Sequence, residues 1–367
     1  MPEIEIVVAD DRKRLRQFVG FPYRLYADHP YWVPPLRSEE EEMLGARHPF
    51  FRHASRELLL AVRAGETVGR IAAIVDRNAP PEQGSFGYFD CVDDAGVARA
   101  LIDAARRWLH EQGARLMRGP FSPSPNYISG VLIDGFDDPP CLGMPYNRPY
   151  YDALLLEAGL EKAKDLLALS IDMDQLRGPK AQRMARFALS FPGLKLRAGD
   201  ARRMESEAQL LWETYVKAWS GNWGYVPPSP DEFRSFGKQL LAFSDERMVQ
   251  FIEYQGKTVG VILACPDLNQ ALQRAKGSLW PLGWWHIVRI KKTATRARVV
   301  LLGLAPEWQG KGAAAAFLAM AQMGGLEHYR QVEASWILED NLAALRGLDL
   351  LGARVYKRYR LYEAPAP

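Results

Sequence analysis

Apolar residues fall along the chain in two similar series of short runs. In the first, residues 3–8 alternate weakly and predict a strand, and residues 11–18 begin a helix with Asp10 or Asp11 as its cap. Residues 57–62, the turn at Gly65-Glu66 and residues 67–75 predict a hairpin of two apolar strands, followed by a strand over 87–92. Leu101, Ile102, Ala105, Trp108 and Leu109 recur at helical spacing within residues 98–112, and Gly113 ends that helix. A strand over 115–118, a helix over 149–156 stopped at Gly159 and a strand over 166–171 complete the series.

The second series repeats this order. It predicts a strand over 194–197 and helices over 203–219 and 230–242, the latter capped by Ser229. A hairpin follows over 248–254 and 258–263, then a strand over 299–304, a helix over 313–324 and a strand over 332–338. A helix over 341–351 and a strand over 355–362 end it. The two hairpins share Gly-Glu/Lys-Thr-Val-Gly, with Gly69 and Gly260 in equivalent places. This is an internal repeat at about half the chain length. It predicts two tandem domains of mixed α/β sheet, residues 1–175 and 190–367, on either side of a basic polar stretch over 174–191.

The sharpest local signal is the passage from the apolar run over 299–304 into Gln309-Gly310-Lys311-Gly312-Ala313-Ala314. Two glycines let the backbone pass close to a ligand, and the following helix directs free N–H groups back at the loop. Lys311 adds a positive charge. Taken bare, a plain strand–turn–helix explains the pattern equally well.

The loop resembles the Gln/Arg-x-x-Gly-x-Gly/Ala acyl-CoA signature of the GNAT-fold N-acyltransferases. Glu339-Asp340-Asn341, Ala344 and Leu351-Gly352-Ala353 resemble the family's second motif, in which Asn opens a helix that ends in Gly. The motifs lie within residues 194–363, whereas residues 3–171 share only the element order and the hairpin. The resemblance implies two tandem GNAT-like folds and transfer of an acetyl or longer acyl group from a CoA thioester to an amine. It assigns the pyrophosphate to Gln309, Gly310, Lys311, Gly312, Ala313 and Ala314. It assigns the pantetheine to the strand edge at Leu302 and Leu304, with Asn341 opening the helix of the second motif. The first half has Asp93-Asp94-Ala95-Gly96 where a glycine loop would stand. Acids there repel a pyrophosphate, so one CoA site is expected, in the second half, with the first half shaping the acceptor pocket.

Acyl transfer to an amine needs a group that takes the amine proton. Glu333, Ser335 and Glu339 share one face of a strand by period two and are the candidates. The alternatives are a solvated strand face, and Glu339 and Asp340 as helix caps. Many family members carry a tyrosine seven residues after the helix-opening Asn, able to protonate the leaving thiolate; here that position is Leu348. Tyr356 and Tyr359 on the last strand are the substitutes. His29-Pro30-Tyr31-Trp32 and His48-Pro49-Phe50-Phe51 line a pocket or simply pack.

Residues 272–298 interrupt the passage from the second hairpin to its neighbouring strand with seven basic residues, no acid and three tryptophans. Tryptophan beside Lys and Arg suits a lipid surface. A packed lid with a basic rim is the other reading. A nucleic-acid surface ranks below both, and no nucleic-acid partner is expected. A lipid amine, such as the sphingoid base acylated by bacterial ceramide synthases, is thus a candidate acceptor, and the tandem bacterial group related to those synthases is the nearest resemblance. An aminoacyl-tRNA-dependent tandem GNAT transferase and a non-catalytic acyl-CoA-binding protein are the competing functions.

Composition adds bounds. The chain of 367 residues is 48% hydrophobic and 25% charged, with net charge +3, which excludes a global polyanion binder. Cys91, Cys141 and Cys265 make neither a zinc pattern nor a disulfide framework, and no metal is expected. The N-terminus lacks the pattern of a secretory signal, so the expected location is the cytoplasm, with peripheral contact at the inner membrane surface through residues 272–298.

Overall fold

The computed structural model describes residues 2–308 and 324–366. Gln309, Gly310, Lys311, Gly312, Ala313 and Ala314, and nearly all of the helix expected after them, lie outside the described residues. The chain forms two compact units. One is Met1–Leu166 with Leu272–Trp284 and Lys357–Pro367; the other is Leu167–Ala271 with Trp285–Tyr356.

The strands in chain order are β1 (Ile4–Val8), β2 (Ala54–Arg63), β3 (Glu66–Asp76), β4 (Gln83–Cys91), β5 (Leu116–Gly119), β6 (Phe121–Ser122), β7 (Ile128–Ser129), β8 (Val131–Asp134) and β9 (Glu161–Asp172). The second series is β10 (Leu194–Ala198), β11 (Val249–Tyr254), β12 (Lys257–Pro266), β13 (Arg296–Leu304), β14 (Gln331–Leu338) and β15 (Arg354–Pro365).

The repeat read from the hairpins is a repeat of topology. In the first unit β1 to β4 pair antiparallel in order, and β5 adds parallel to β4. In the second unit β10 to β13 pair antiparallel in order, and β14 adds parallel to β13. Each series is then extended by a strand distant from it in sequence. The end of β15 pairs antiparallel with β5, from Tyr362↔Gly119 to Pro365↔Leu116. Beyond β14, the second unit's sheet continues to β9. The units therefore differ from the expected segments 1–175 and 190–367, because each strand follows its hydrogen-bonded neighbours.

The helix Ala95–Glu111 shows how pattern becomes packing. Val97, Leu101, Ile102, Ala105 and Leu109 are fully buried on one face, against Leu59, Ile71 and Phe86 of the sheet. Each large aliphatic side chain so buried contributes roughly 1.5–3 kcal/mol. The second core gathers Ile252, Val259, Ile262, Ala297, Val299, Val332 and Leu348 in the same way.

Two expectations need correction. The basic polar stretch over 174–191, expected as the boundary between the halves, folds into the helices Met173–Arg177 and Pro179–Leu189. Met173, Leu176, Ala181 and Ala185 are buried in the second core, so an apolar stripe was hidden among basic residues. The interruption over 272–298 also contains the start of β13, preceded by the short helices Gly283–Val288 and Ile290–Thr293. Among the described residues, no helix is long and apolar enough to cross a membrane.

Candidate active site

In the second unit, β13 and β14 run as a parallel ladder from Arg296↔Gln331 to Val299↔Ala334. Both strands continue past the last ladder pair, β13 to Leu304 and β14 to Leu338. On its other side β13 stays paired with β12, through Leu302↔Ile262 and Leu304↔Gly260. Leu302 and Leu304 thus lie on the stretch of β13 that has left the β14 ladder. Gly303 between them is a close approach, since a Cβ there would lie 2.0 Å from the Trp219 ring. Glu307, in the turn after β13, is paired with Lys217 at 2.7 Å.

A buried polar cluster sits at the last turns of that ladder. Arg298 and Glu333 are ladder partners across β13 and β14. Glu333 is 1% exposed, and Arg298 and Ser335 are 7% exposed, so the solvated-face reading of β14 does not hold. The Ser335 hydroxyl donates to Glu333 Oε1, and the Tyr356 hydroxyl donates to Glu333 Oε2. Arg298 Nε donates to Ser335 Oγ at 2.9 Å and Nη2 donates to the Ser335 carbonyl at 3.2 Å. The Arg298 guanidinium lies 3.9 Å from the Glu333 carboxylate. Cys265, opposite Arg298 on β12, completes the row. Burial pushes its thiol up to about 12 despite the nearby guanidinium, so it stays neutral.

Three of the four expected catalytic residues, Glu333, Ser335 and Tyr356, are therefore together. Glu339 is not with them in these contacts: β14 ends at Leu338, and Glu339 stands in the turn that follows. Asn341 is the cap of the next helix, its side chain accepting from the Ala344 N–H at 3.2 Å. Leu348, where the family's tyrosine would stand, is fully buried in the core. Tyr359 is also fully buried.

Arg298 was missed. It was counted among the seven basic residues of the interruption, whereas it is an interior ion-pair partner of the site. Arg296 is likewise interior, its Nε 2.9 Å from the fully buried Asp267 carboxylate. The available signal was the alternation Arg296-Ala297-Arg298-Val299, in which arginines share a strand face. The remaining basic residues, Arg274, Lys276, Arg289, Lys291 and Lys292, are exposed.

In the first unit the corresponding place is filled. A Cβ on Gly87 of β4 would lie 1.7 Å from the Phe121 carbonyl oxygen, so backbone meets backbone there. The Tyr88 N–H donates to Ser122 Oγ at 2.9 Å. The helix Ala95–Glu111 is capped by Asp94, whose Oδ1 accepts from Gly96 N at 2.8 Å and Val97 N at 3.2 Å. Arg63 pairs with the same carboxylate at 2.6 Å and holds its pKa down through their hydrogen bond. An N-terminus already carrying a carboxylate has little to offer a phosphate.

The chain is similar to several known proteins. It is 36% identical to Protein YghO of Escherichia coli, over 96% of this chain and 93% of that one. It is 35% identical to the bacterial ceramide synthase of Caulobacter vibrioides, over 98% of this chain and 97% of that one. The chain belongs to the tandem GNAT group of bacterial ceramide synthase relatives. Solved structures agree on the fold. A tandem GNAT protein from the clavulanic acid biosynthesis pathway aligns over 100% of this chain and 99% of its own, with TM-score 0.57 at 15% identity. A GCN5-related N-acetyltransferase from Sphaerobacter thermophilus aligns over 98% and 96%, with TM-score 0.55 at 14% identity. No family model matches the chain. As in a tandem GNAT architecture, the two units repeat the same strand topology, and the polar cluster belongs to the second. Among the described residues, no group of three or more His, Cys, Asp and Glu side chains is arranged to hold a metal ion.

Proposed function

We propose that this protein is an acyl-CoA-dependent N-acyltransferase that moves a long acyl group to a lipid amine. The observation that carries the reading is the Glu333–Ser335–Tyr356–Arg298 cluster at the point where the β13–β14 ladder ends. The amine nitrogen attacks the thioester carbonyl carbon; the C–N bond forms and the C–S bond breaks. The proton lost by the amine passes to the Glu333 carboxylate. The leaving thiolate takes a proton from the Tyr356 hydroxyl, and Glu333, to which that hydroxyl is bonded, returns one to it. Arg298 holds Ser335 and keeps Glu333 charge-balanced. Leu302 and Leu304 are proposed as the pantetheine edge. The loop of Gln309, Gly310, Lys311, Gly312, Ala313 and Ala314, ahead of Asn341, is proposed as the pyrophosphate site. The name of the Caulobacter relative supports a sphingoid amine as acceptor and a long-chain acyl-CoA as donor.

Gly312→Asp tests the CoA side. It places a side chain and a negative charge against the expected phosphates, and calorimetry is expected to show palmitoyl-CoA affinity falling by at least tenfold. Unchanged affinity sinks the assignment of the loop.

A lipid acceptor implies work at a membrane surface, and the segment around the short helix Gly283–Val288 is suited to it. Trp280, Leu282 and Val288 are 82%, 69% and 65% exposed, with Leu279, Trp284 and Trp285 also open to solvent. Exposed indole and leucine side chains beside lysines suit a headgroup boundary. Each of the five exposed cations adds about 1 kcal/mol of attraction when close to an anionic surface. Wild type is expected to sediment with anionic vesicles at low salt, and Trp280→Ala/Leu282→Ala and Lys291→Glu/Lys292→Glu are expected to stay in solution. Equal sedimentation of all three, or wild type staying in the supernatant, removes the membrane contact from the account.

A further inference from the structure

A cluster of aromatic rings in the second unit adjoins the start of the Gln309 loop and has no part in the chemistry above. Trp308 is the residue immediately before Gln309. Its ring centroid lies 4.6 Å from that of Tyr254. Phe191 closes the group, 6.0 Å from Tyr254 and 6.2 Å from Trp308, edge-on to the indole. Tyr254 and Trp308 back onto the second core, whereas Phe191 is 52% exposed. Exposed aromatic surface gathered in one place, rather than scattered singly, marks a place of binding.

Local geometry fixes Phe191. It opens a turn over Phe191-Pro192-Gly193-Leu194, closed by the Leu194 N–H donating to the Phe191 carbonyl at 3.1 Å. Gly193 has φ +85°, as the third position of a type II turn requires, and Pro192 suits the second. The turn feeds β10, whose first residue, Leu194, is the ladder partner of Tyr254. A Cβ on Gly193 would lie 3.4 Å from the Tyr254 ring, so the turn passes directly beside it.

The surroundings are cationic. Lys257 is the ladder partner of Tyr254 across the hairpin, so its exposed side chain leaves the sheet on the same face, next to the ring. Lys180, Arg183 and Arg186 are exposed on the helix Pro179–Leu189, which ends just before Phe191. No acid occurs between Asp174 and Asp200. The first unit provides an internal comparison. Its matching hairpin pairs Arg63 with Glu66 where the second pairs Tyr254 with Lys257. There Arg63 is bound to Asp94 at 2.6 Å and Glu66 to Arg24 at 3.4 Å. Ion pairs thus occupy the positions of the ring and the lysine in the unit where no CoA is expected.

We propose that this cluster takes the adenine of a CoA thioester, stacked against Phe191 and Trp308, with the 3′-phosphate of the ribose beside Lys257. A flat heteroaromatic base suits an open ring surface, and a phosphate suits the adjoining lysine. The place also fits a ligand whose pyrophosphate meets the loop, because Trp308 and Gln309 are consecutive and one ribose separates base from pyrophosphate. The inference rests on the acyl-CoA reading and deepens it: the nucleotide end supplies affinity that the acyl-transfer chemistry itself does not require.

The test is calorimetry with CoA, 3′-dephospho-CoA and 4′-phosphopantetheine, together with the fluorescence of etheno-CoA, whose modified adenine is quenched when stacked. Wild type is expected to bind CoA at least tenfold more tightly than phosphopantetheine and to quench etheno-CoA. Phe191→Ala and Trp308→Ala are each expected to lower CoA affinity about tenfold, to leave phosphopantetheine unchanged and, at saturation, to leave etheno-CoA brighter than wild type does. Phe191→Ala removes a half-exposed ring and is expected to keep the wild-type melting temperature. Lys257→Gln is expected to bring CoA down to the level of dephospho-CoA and to leave dephospho-CoA unchanged. Equal binding of CoA and phosphopantetheine by wild type, or etheno-CoA bound without quenching, overturns the proposal and leaves the acyl-CoA reading standing. Loss of phosphopantetheine along with CoA in the ring variants makes the rings a support of the loop and overturns it too. Binding of none of these compounds overturns both readings.

Discussion

Glu333→Gln is expected to lower kcat for acyl transfer by about 100- to 10,000-fold, the range for losing a general base. It is also expected to lower the unfolding free energy by about 3–5 kcal/mol. The two effects have different causes. The first comes from losing the proton acceptor. The second arises because Arg298, itself 7% exposed, loses the carboxylate that lies 3.9 Å from its guanidinium. The double variant Arg298→Met/Glu333→Gln separates them, since replacing a whole buried ion pair is close to neutral for stability. Denaturant unfolding of the double variant should recover most of the lost stability, while activity stays low. Recovery of activity along with stability would reduce Glu333 to a structural role. Ser335→Ala is a milder change: it removes the hydroxyl that relays Arg298 to Glu333 but leaves both charges.

Gly87→Ala is expected to destabilise the first unit by about 3 kcal/mol or more, at the upper end of overpacking costs. The new methyl would meet the Phe121 carbonyl at 1.7 Å, and that oxygen belongs to backbone, which cannot rotate away. Gly119 mirrors the contact from the other side, with the Phe86 carbonyl 2.3 Å from its ideal Cβ position. The two glycines let the chain around β6 lie directly against β4, in the place where the second unit's strands part. Thermal unfolding checks the prediction. A melting temperature within a degree or two of wild type would mean that β4 and β6 are not in backbone contact. The same close approach adds to the Asp93-Asp94 argument for expecting a single CoA thioester per chain.

Much of the fold was legible because its signals are local. The hairpin at Gly65-Glu66 and its counterpart at Gln255-Gly256 carried the repeat, and the apolar stripe of Ala95–Glu111 fixed its helix. The segment over 174–191 was misread because its few buried residues, Leu176, Ala181 and Ala185, are spaced among lysines and arginines. Strand β15 was seen as a strand, but a strand's sequence does not name its neighbour, so its pairing with β5 could not be anticipated. The same limit applies to the site. Period two placed Glu333 and Ser335 on one face, yet whether that face meets water or an arginine depends on the strand beside it. Arg298 looked like one more surface charge until its ladder partner was known.

The central claim is that one unit of this tandem chain joins an acyl-CoA to a lipid amine. The most direct measurement is incubation of the purified protein with palmitoyl-CoA and sphinganine on anionic vesicles, following free thiol and N-palmitoyl product by mass spectrometry. The account predicts product and thiol appearing in equal amounts, and both falling together by at least 100-fold in Glu333→Gln. Thiol released without amide, or stoichiometric binding of palmitoyl-CoA with neither product, would contradict it.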